Sequence, residues 1–340
     1  MATRGYNSYR GRSSGWKILL IVVLVAALLG AVGFLYCQNH LVYDDQGEAH
    51  LELPWSKPEK KQEKETEKEN PIKPDDVHIT REEPKRPTIA PLHARELSFE
   101  RLTWSTADVQ EEAVVANIKR RDGAIAYDTA LTLPEGIAKG SEATLTNLKE
   151  LLQADSYAVA RIYSLLDSAY ARAQMEQAGL LRDDQGDVWY DGSGECWLDP
   201  TKSGTLEYLT RLCTECVSLG FDEIMLDFFS YPTTGNVGRI FYGENTDKTA
   251  ALTAFAEKLR EALPKGTVLS IALHQPLVDG GGDSGITPEL LQSFDRIYAD
   301  TGTMDVAALT AALPKDFVVD GRIVPMVGKA PEQGSYMVIG

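Results

Sequence analysis

Twenty consecutive residues without a charge, Ile18 to Cys37 (ILLIVVLVAALLGAVGFLYC), constrain this chain more than any other feature. At helical rise such a run spans about 30 Å, the thickness of a bilayer's hydrocarbon core. A cleaved signal peptide has a shorter apolar region that ends in small residues. Here the run ends Phe34-Leu35-Tyr36-Cys37. Arg4, Arg10, Arg12 and Lys17 precede it, and Asp44, Asp45 and Glu48 follow it. The positive-inside rule then predicts a single-pass anchor in the cell membrane, with its N-terminus cytoplasmic and the rest extracytoplasmic. The expected plan is a basic tail over 1–17, a transmembrane helix over 18–37 in contact with the lipid bilayer, a charged stalk over 38–96 and a folded domain over 97–340.

The stalk carries the segment KPEKKQEKETEKENPIKPDD, which has almost no apolar side chains. It cannot bury enough surface to offset its ordering entropy, so it is expected to be a disordered or extended spacer. The net charge of −16 includes the four positive charges ahead of the span, so the remainder is more acidic still. An acidic surface excludes nucleic acid as a partner and suits a neutral or cationic ligand. Four cysteines occur, Cys37, Cys196, Cys213 and Cys216. Three of them follow the span, an odd number that makes no disulfide framework. Cys213 and Cys216 form a C-x-x-C inside an expected helix, Gly204 to Leu219, where a redox pair would need a helix start. Two small buried thiols are the simpler reading.

From about residue 97 short apolar runs alternate with helical stretches. Strands are expected at 112–119, 157–163, 223–228, 267–274, 296–300, 317–319 and 323–327, and helices at 142–154, 169–178, 204–219 and 247–263. Repeated strand-then-helix units with apolar strands imply a parallel sheet covered by helices. The number of units suits an α/β fold of the (β/α)8 TIM-like barrel kind. The competing doubly wound sheet lacks a Gly-rich phosphate loop after its first strand.

Side chains alternate along a strand, so one set faces the barrel interior. The inward sets are Val115, Asn117 and Lys119; Val159, Arg161 and Tyr163; Met225 and Asp227; Ser270, Ala272 and His274; and Arg296, Tyr298 and Asp300. Each turns polar toward its C-terminal end, where barrels place their function. Asp227 stands in an otherwise uncharged run, where a lone buried carboxylate costs several kcal/mol unless paired. Its structural alternative is an ion pair with Arg161 or Lys119.

Four stretches carry a family resemblance. GFDEIMLDFFSYP (Gly220 to Pro232) resembles G-F-D-E-I-x-x-D-Y-I-R-F-P, and VVANIKRRDG (Val114 to Gly123) resembles V-I-D-V-K-D-x-x-G. ARIYSLLD (Ala160 to Asp167) is similar to A-R-I-V-x-F-x-D, and VWYDGSGECWLDP (Val188 to Pro200) to W-x-D-x-x-G-x-x-W-V-D-P. Together, in this order, they resemble a family of glycoside-hydrolase-like barrels formerly classed as a domain of unknown function. The resemblance implies a (β/α)8 barrel and a carbohydrate substrate. Asn117 stands where the family usually has an acid, Arg120 where a second acid is common, and Ser230 where an Arg is usual.

Glycoside hydrolysis takes two carboxyl groups, one protonated and one ionised. Asp227 is the first candidate. The second is open among Asp300, Asp167, Asp199 and Asp122, with Asp300 preferred as the inward terminal residue of its strand. Asp227 and Asp300 are therefore the expected catalytic pair. Lys119 and Arg161 are expected to orient hydroxyls or keep Asp227 ionised, and His274 to position a hydroxyl or shuttle a proton. Trp189, Tyr190 and Trp197 in one loop, and Phe228, Phe229 and Tyr231 just after Asp227, are expected to offer faces to sugar rings, with Asp199 beside them, about half of these rings plugging the mouth instead. Strict alternation along the strand meanwhile turns Phe228, with Ile224 and Leu226, toward the helices. No residue set calls for a cofactor. A cation held by Asp183, Asp184 and Asp187 would lack the loop length of a calcium site. The expected function is a membrane-anchored extracytoplasmic glycoside hydrolase on a cell-wall or extracellular polysaccharide. The alternative is an inactive carbohydrate-binding barrel at the cell surface.

Overall fold

The structure is a computed structural model in which residues 41–43, 49–51, 89–182, 186–243 and 246–340 are described. The chain divides into two compact units, Met1–Thr80 and Arg81–Gly340. In the first, the described residues form one antiparallel pair, Leu41–Tyr43 with Ala49–Leu51. The expected tail, membrane span and most of the stalk lie outside the described residues, as do Asp183 and Asp184. Among the described residues no helix is long and apolar enough to cross a membrane.

The second unit is built on eight parallel strands that close into a barrel. They are β1 (His93–Leu97), β2 (Ala113–Lys119), β3 (Tyr157–Tyr163), β4 (Glu223–Asp227), β5 (Val268–Leu273), β6 (Arg296–Asp300), β7 (Ile323–Val327) and β8 (Tyr336–Val338). Each pairs with the next in sequence, and β8 pairs with β1 to close the ring. The helices between them are α1 (Glu142–Leu152), α2 (Ser168–Ala173), α3 (Ser203–Leu219), α4 (Lys248–Ala262), α5 (Pro288–Leu291) and α6 (Val306–Ala312). Their starts are read from short polar residues: Ser141, Asp167, Asp247, Thr287 and Asp305 each accept a first-turn N–H. Helix α3 ends at Gly220, whose φ of 116° is left-handed.

Two apolar layers result. Val114, Ala116, Ile118, Ile162, Leu226 and Ile271 pack against the helices. Val115, Val159, Met225, Ala272, Tyr298 and Met326 fill the barrel. Cys213 and Cys216 are fully buried free thiols on the inner face of α3, and burial pushes Cys213 up to about 12. That is the chemistry of inert packing, not of a redox pair.

The N-terminal end of the barrel is closed by a polar cluster. Tyr157 and Tyr298 each donate to the buried Glu223 carboxylate at 2.9 Å, and Arg296 pairs with it. Arg296 also donates to Gly321 O at 2.7 Å and to Ala90 O at 3.0 Å, tying down the chain just before β1.

Four expectations are corrected. The barrel begins at His93, so the boundary at 97 cuts off its first strand, and the final strand Tyr336–Val338 was not foreseen. Phe317–Val319 is a turn and irregular chain, not a strand. Lys119 does not face the interior. The β2–β3 register shifts between Asn117 and Lys119, a bulge that places Lys119 opposite Ile162 on the helix side. Phe228 does not face the helices, because β4 stops at Asp227 and Phe228 takes a left-handed φ of 49°.

Candidate active site

The strand ends bring five charged or titratable side chains into one chain of contacts across the mouth. Glu96 comes from β1, Arg161 from β3, Asp227 from β4, His274 from just after β5 and Asp300 from β6. Arg161 Nη1 donates to Glu96 Oε1 at 2.6 Å. Its Nε and Nη2 reach Asp227 Oδ2 at 2.7 and 2.6 Å. His274 Nε2 lies 2.7 Å from Asp227 Oδ1, and its Nδ1 lies 3.1 Å from Asp300 Oδ2. Asn117 Nδ2 donates to Glu96 Oε1 at 2.7 Å, so the amide supports the far end of the chain.

Asp227 is wholly buried, and a fourth donor, the Phe228 backbone N–H, meets its Oδ1 at 2.8 Å. Burial alone would raise its pKa. The Arg161 charge and the His274 contact outweigh that and hold it below the usual carboxylate value. His274 shows the converse balance: burial lowers its pKa, but the bonds to Asp227 and Asp300 raise it above 6.5. Both ring nitrogens face carboxylates, and only the imidazolium can donate at both. Asp227 is thus a fixed anion whose acceptor positions are filled. Asp300 is the more open carboxyl, its side chain 21% exposed. Two hydrogen bonds and one imidazole ring separate the two acids. That keeps their nearest oxygens inside the roughly 5–10 Å over which glycosidases space paired carboxyls.

Beside this network opens a cleft of about 260 Å³, whose walls include Arg121, Asp191, Glu195, Trp197, Phe228 and His274. Trp197 lines it, its Nε1 donating to Asp191 Oδ2 at 3.2 Å. Tyr231 also lines it, buried and T-shaped against Tyr242 at 5.5 Å. Phe229 contributes to the wall, but its ring is packed against Phe255 and Phe294 at 5.6 and 5.7 Å.

Other expected site residues lie elsewhere. Lys119 is buried in an ion pair with Asp167 at 2.8 Å, and its Nζ is 5.9 Å from the Tyr208 ring of α3. It is a bond between strand and helix layer. Trp189 is buried with Nε1 donating to Asn236 O at 3.0 Å. Asp199 Oδ1 accepts Thr201 N and Oγ1 at 2.9 and 2.6 Å, a turn contact. Asp122 pairs at the surface with Arg120. Of the four acids left open, only Asp300 joins Asp227.

Sequence reasoning missed Glu96, because HAREL has too few apolar residues to read as a strand. Strict alternation sends Phe228 outward, but its place just after Asp227, beside Phe229 and Tyr231, marks it as an aromatic side chain of the mouth. Glu195 was also missed, although it lies within the Trp-rich loop motif.

With the barrel and its mouth in hand, comparison with known proteins decides the family. Residues 92–292, more than half of the chain, match the family profile described as "Putative glycosyl hydrolase domain". The chain belongs to this family. Among solved structures, it is similar to a hypothetical protein from Ruminiclostridium thermocellum ATCC 27405, at 24% identity, covering 52% of this chain and 95% of that one with a TM-score of 0.43. It is also similar to the PgaB (BpsB) glycoside hydrolase domain from Bordetella bronchiseptica, at 12% identity over 70% of this chain and 84% of that one, TM-score 0.48. A third is the glycoside hydrolase domain of PelA from Pseudomonas aeruginosa, at 15% identity over 67% and 75%, TM-score 0.37. No curated protein matches the chain. The match agrees with the glycoside-hydrolase-like barrel family that the four motifs resemble.

Proposed function

We propose that this barrel cleaves a cell-wall or extracellular polysaccharide at the C-terminal mouth of its strands. The observation that carries the reading is the single imidazole joining Asp227 to Asp300 beside a cleft walled by Trp197 and Phe228. Asp227 stays ionised and keeps His274 protonated. His274 Nδ1 lies 3.1 Å from Asp300 Oδ2, so the imidazolium can pass a proton to that carboxyl. The second carboxyl is assigned among the two acids that line the cleft. Asp191 has its oxygens committed to Ser193 N, Glu195 N and Trp197 Nε1. Glu195 remains, held by Ser168 Oγ at 2.5 Å and by Arg121 Nε at 3.4 Å.

The anchor belongs to the same proposal. The uncharged run 18–37, flanked by basic and then acidic residues, supports a single-pass protein with the barrel domain outside the cytoplasm on a stalk. Protease treatment of intact cells should release the barrel. A barrel protected until the cells are lysed would sink the topology.

The test of activity is release of reducing ends from a panel of polysaccharides by the full-length protein. Asp300→Asn and Glu195→Gln should each lower kcat by about 10²-fold or more while remaining folded. Full activity in both would remove them from the chemistry. Binding of a polysaccharide without turnover by the unaltered protein would instead make the barrel a carbohydrate-binding module.

A further inference from the structure

The aromatic residue after Asp227 has an unusual backbone and an unusual neighbourhood. Phe228 has φ 49°, the one non-glycine positive φ among the described residues, and bulky side chains rarely adopt it. Two contacts hold it there. Its N–H donates to Asp227 Oδ1 at 2.8 Å. Its ring lines the cleft and stacks with two others, Tyr163 at 5.2 Å and 21° and His274 at 4.9 Å and 22°. The ring edge meets Trp197 at 6.1 Å and 69°.

Two such stacks commit the ring to protein neighbours, one of them the imidazole of the bridge. We infer that Phe228 is a positioning residue: it holds the His274 imidazole in the plane that joins Asp227 to Asp300, and does not serve as a saccharide platform. The inference rests on the reading of that bridge as the reacting site. The physical reason is the direction of the contacts. The carboxylates fix the ring of His274 only at its two nitrogens, along one line, and leave it free to roll about that line. A flat neighbour against its face removes that freedom, and the negative face of a phenyl ring favours a cation stacked on it. The groups that act electrostatically on His274 are Asp227, Asp300 and Arg161, and Arg121, Asp191 and Glu195 line the same cleft. Phe228 is the neutral surface among them.

The experiment is a titration of the full-length protein carrying ¹³Cε1-labelled histidine, followed by NMR. The chain has 5 histidines, so His274→Gln assigns the signal by its loss. The His274 resonance should be displaced upfield by the stacked ring. Phe228→Leu should abolish the displacement and lower the His274 midpoint by about half a pH unit, the size expected of one cation–aromatic contact at a partly exposed site. Phe228→Tyr should restore both. On a cleaved polysaccharide, Phe228→Leu should lower kcat roughly tenfold with little change in KM, and pull in the alkaline limb of the pH profile. An unchanged His274 signal in Phe228→Leu, with KM raised instead, would overturn the inference and make the ring a sugar platform. If Phe228→Leu does not fold, the unaltered protein still decides: a His274 signal without upfield displacement overturns it. Because the signal needs no turnover, an inactive protein that keeps it would sink the hydrolase reading alone.

Discussion

Removing Arg161 would leave Asp227 buried and charged with half of its donors gone. Breaking a buried pair from one side costs about 3–5 kcal/mol, so Arg161→Met should lower the unfolding free energy from urea titration by that much. Adding Asp227→Asn to it should recover a large part, because the stranded charge is then removed. The pH dependence has two limbs with opposite signs. Asp227 has a depressed pKa, so its contribution is present above the unfolded value of about 3.9 and is lost as pH falls through the folded one. His274 has a raised pKa, so its contribution is complete below about 6.5 and is lost as pH rises through the folded value. Thermal melting from pH 6 to 9 should therefore fall more steeply in the unaltered protein than in His274→Gln. A parallel fall in both would mean that the imidazole is not bound between carboxylates. Much of this residue-level picture was legible beforehand, since strand parity alone aimed Arg161, Asp227, His274 and Asp300 inward. The burial cost of Asp227 also called for a cationic partner, Arg161 or Lys119, and Arg161 is the one that pairs with it. What parity could not supply was how many donors each oxygen receives, and that number turns Asp227 from an exposed reagent into a sealed anion.

Strands and helices were read well where their apolar periodicity was long, as in VVANI, YAVARIY and VLSIAL, and poorly where it was short. HAREL holds few apolar residues and YMV is only three residues long, and both become strands because they complete a ring begun by the other six. The two side chains placed on the wrong face, Lys119 and Phe228, both sit at the C-terminal ends of strands, where a bulge or a left-handed residue resets the alternation. Alternation follows from an unbroken pleat, and the pleat breaks at the mouth. The bulge has its own energetic signature. Lys119 and Asp167 are both fully buried, so Lys119→Met should destabilise by about 3–5 kcal/mol, and Lys119→Met with Asp167→Asn by clearly less. Gly123, four residues on, has φ 91°, and a Cβ there would lie 2.5 Å from Asp167 Oδ1. Gly123→Ala should therefore cost more than the ~1 kcal/mol of a left-handed alanine, read as a drop in denaturant midpoint.

On the scale of the whole barrel, closure is the property that a boundary error destroys. A piece starting at Leu97 lacks β1, which pairs with both β2 and β8, and so leaves two unpaired strand edges. It should fail to melt cooperatively, whereas a piece starting at Arg81, where the compact unit begins, should melt in one transition. Equal folding of both would mean that seven strands suffice. The domain start was misjudged because Pro, Arg and Glu around residues 84–96 continue the stalk's composition into the first strand. The chain enters this barrel at one end and the Asp227–His274–Asp300 bridge lies at the other. At the entry, Arg296 holds the carbonyl of Ala90 while its guanidinium is itself clamped to Glu223. Under the proposed tethering, tension would be taken up by that clamp and then, as shear, by the hydrogen bonds on both sides of β1. A barrel tugged by its tether would strain at its base while the spacing of the acids at its mouth stayed fixed.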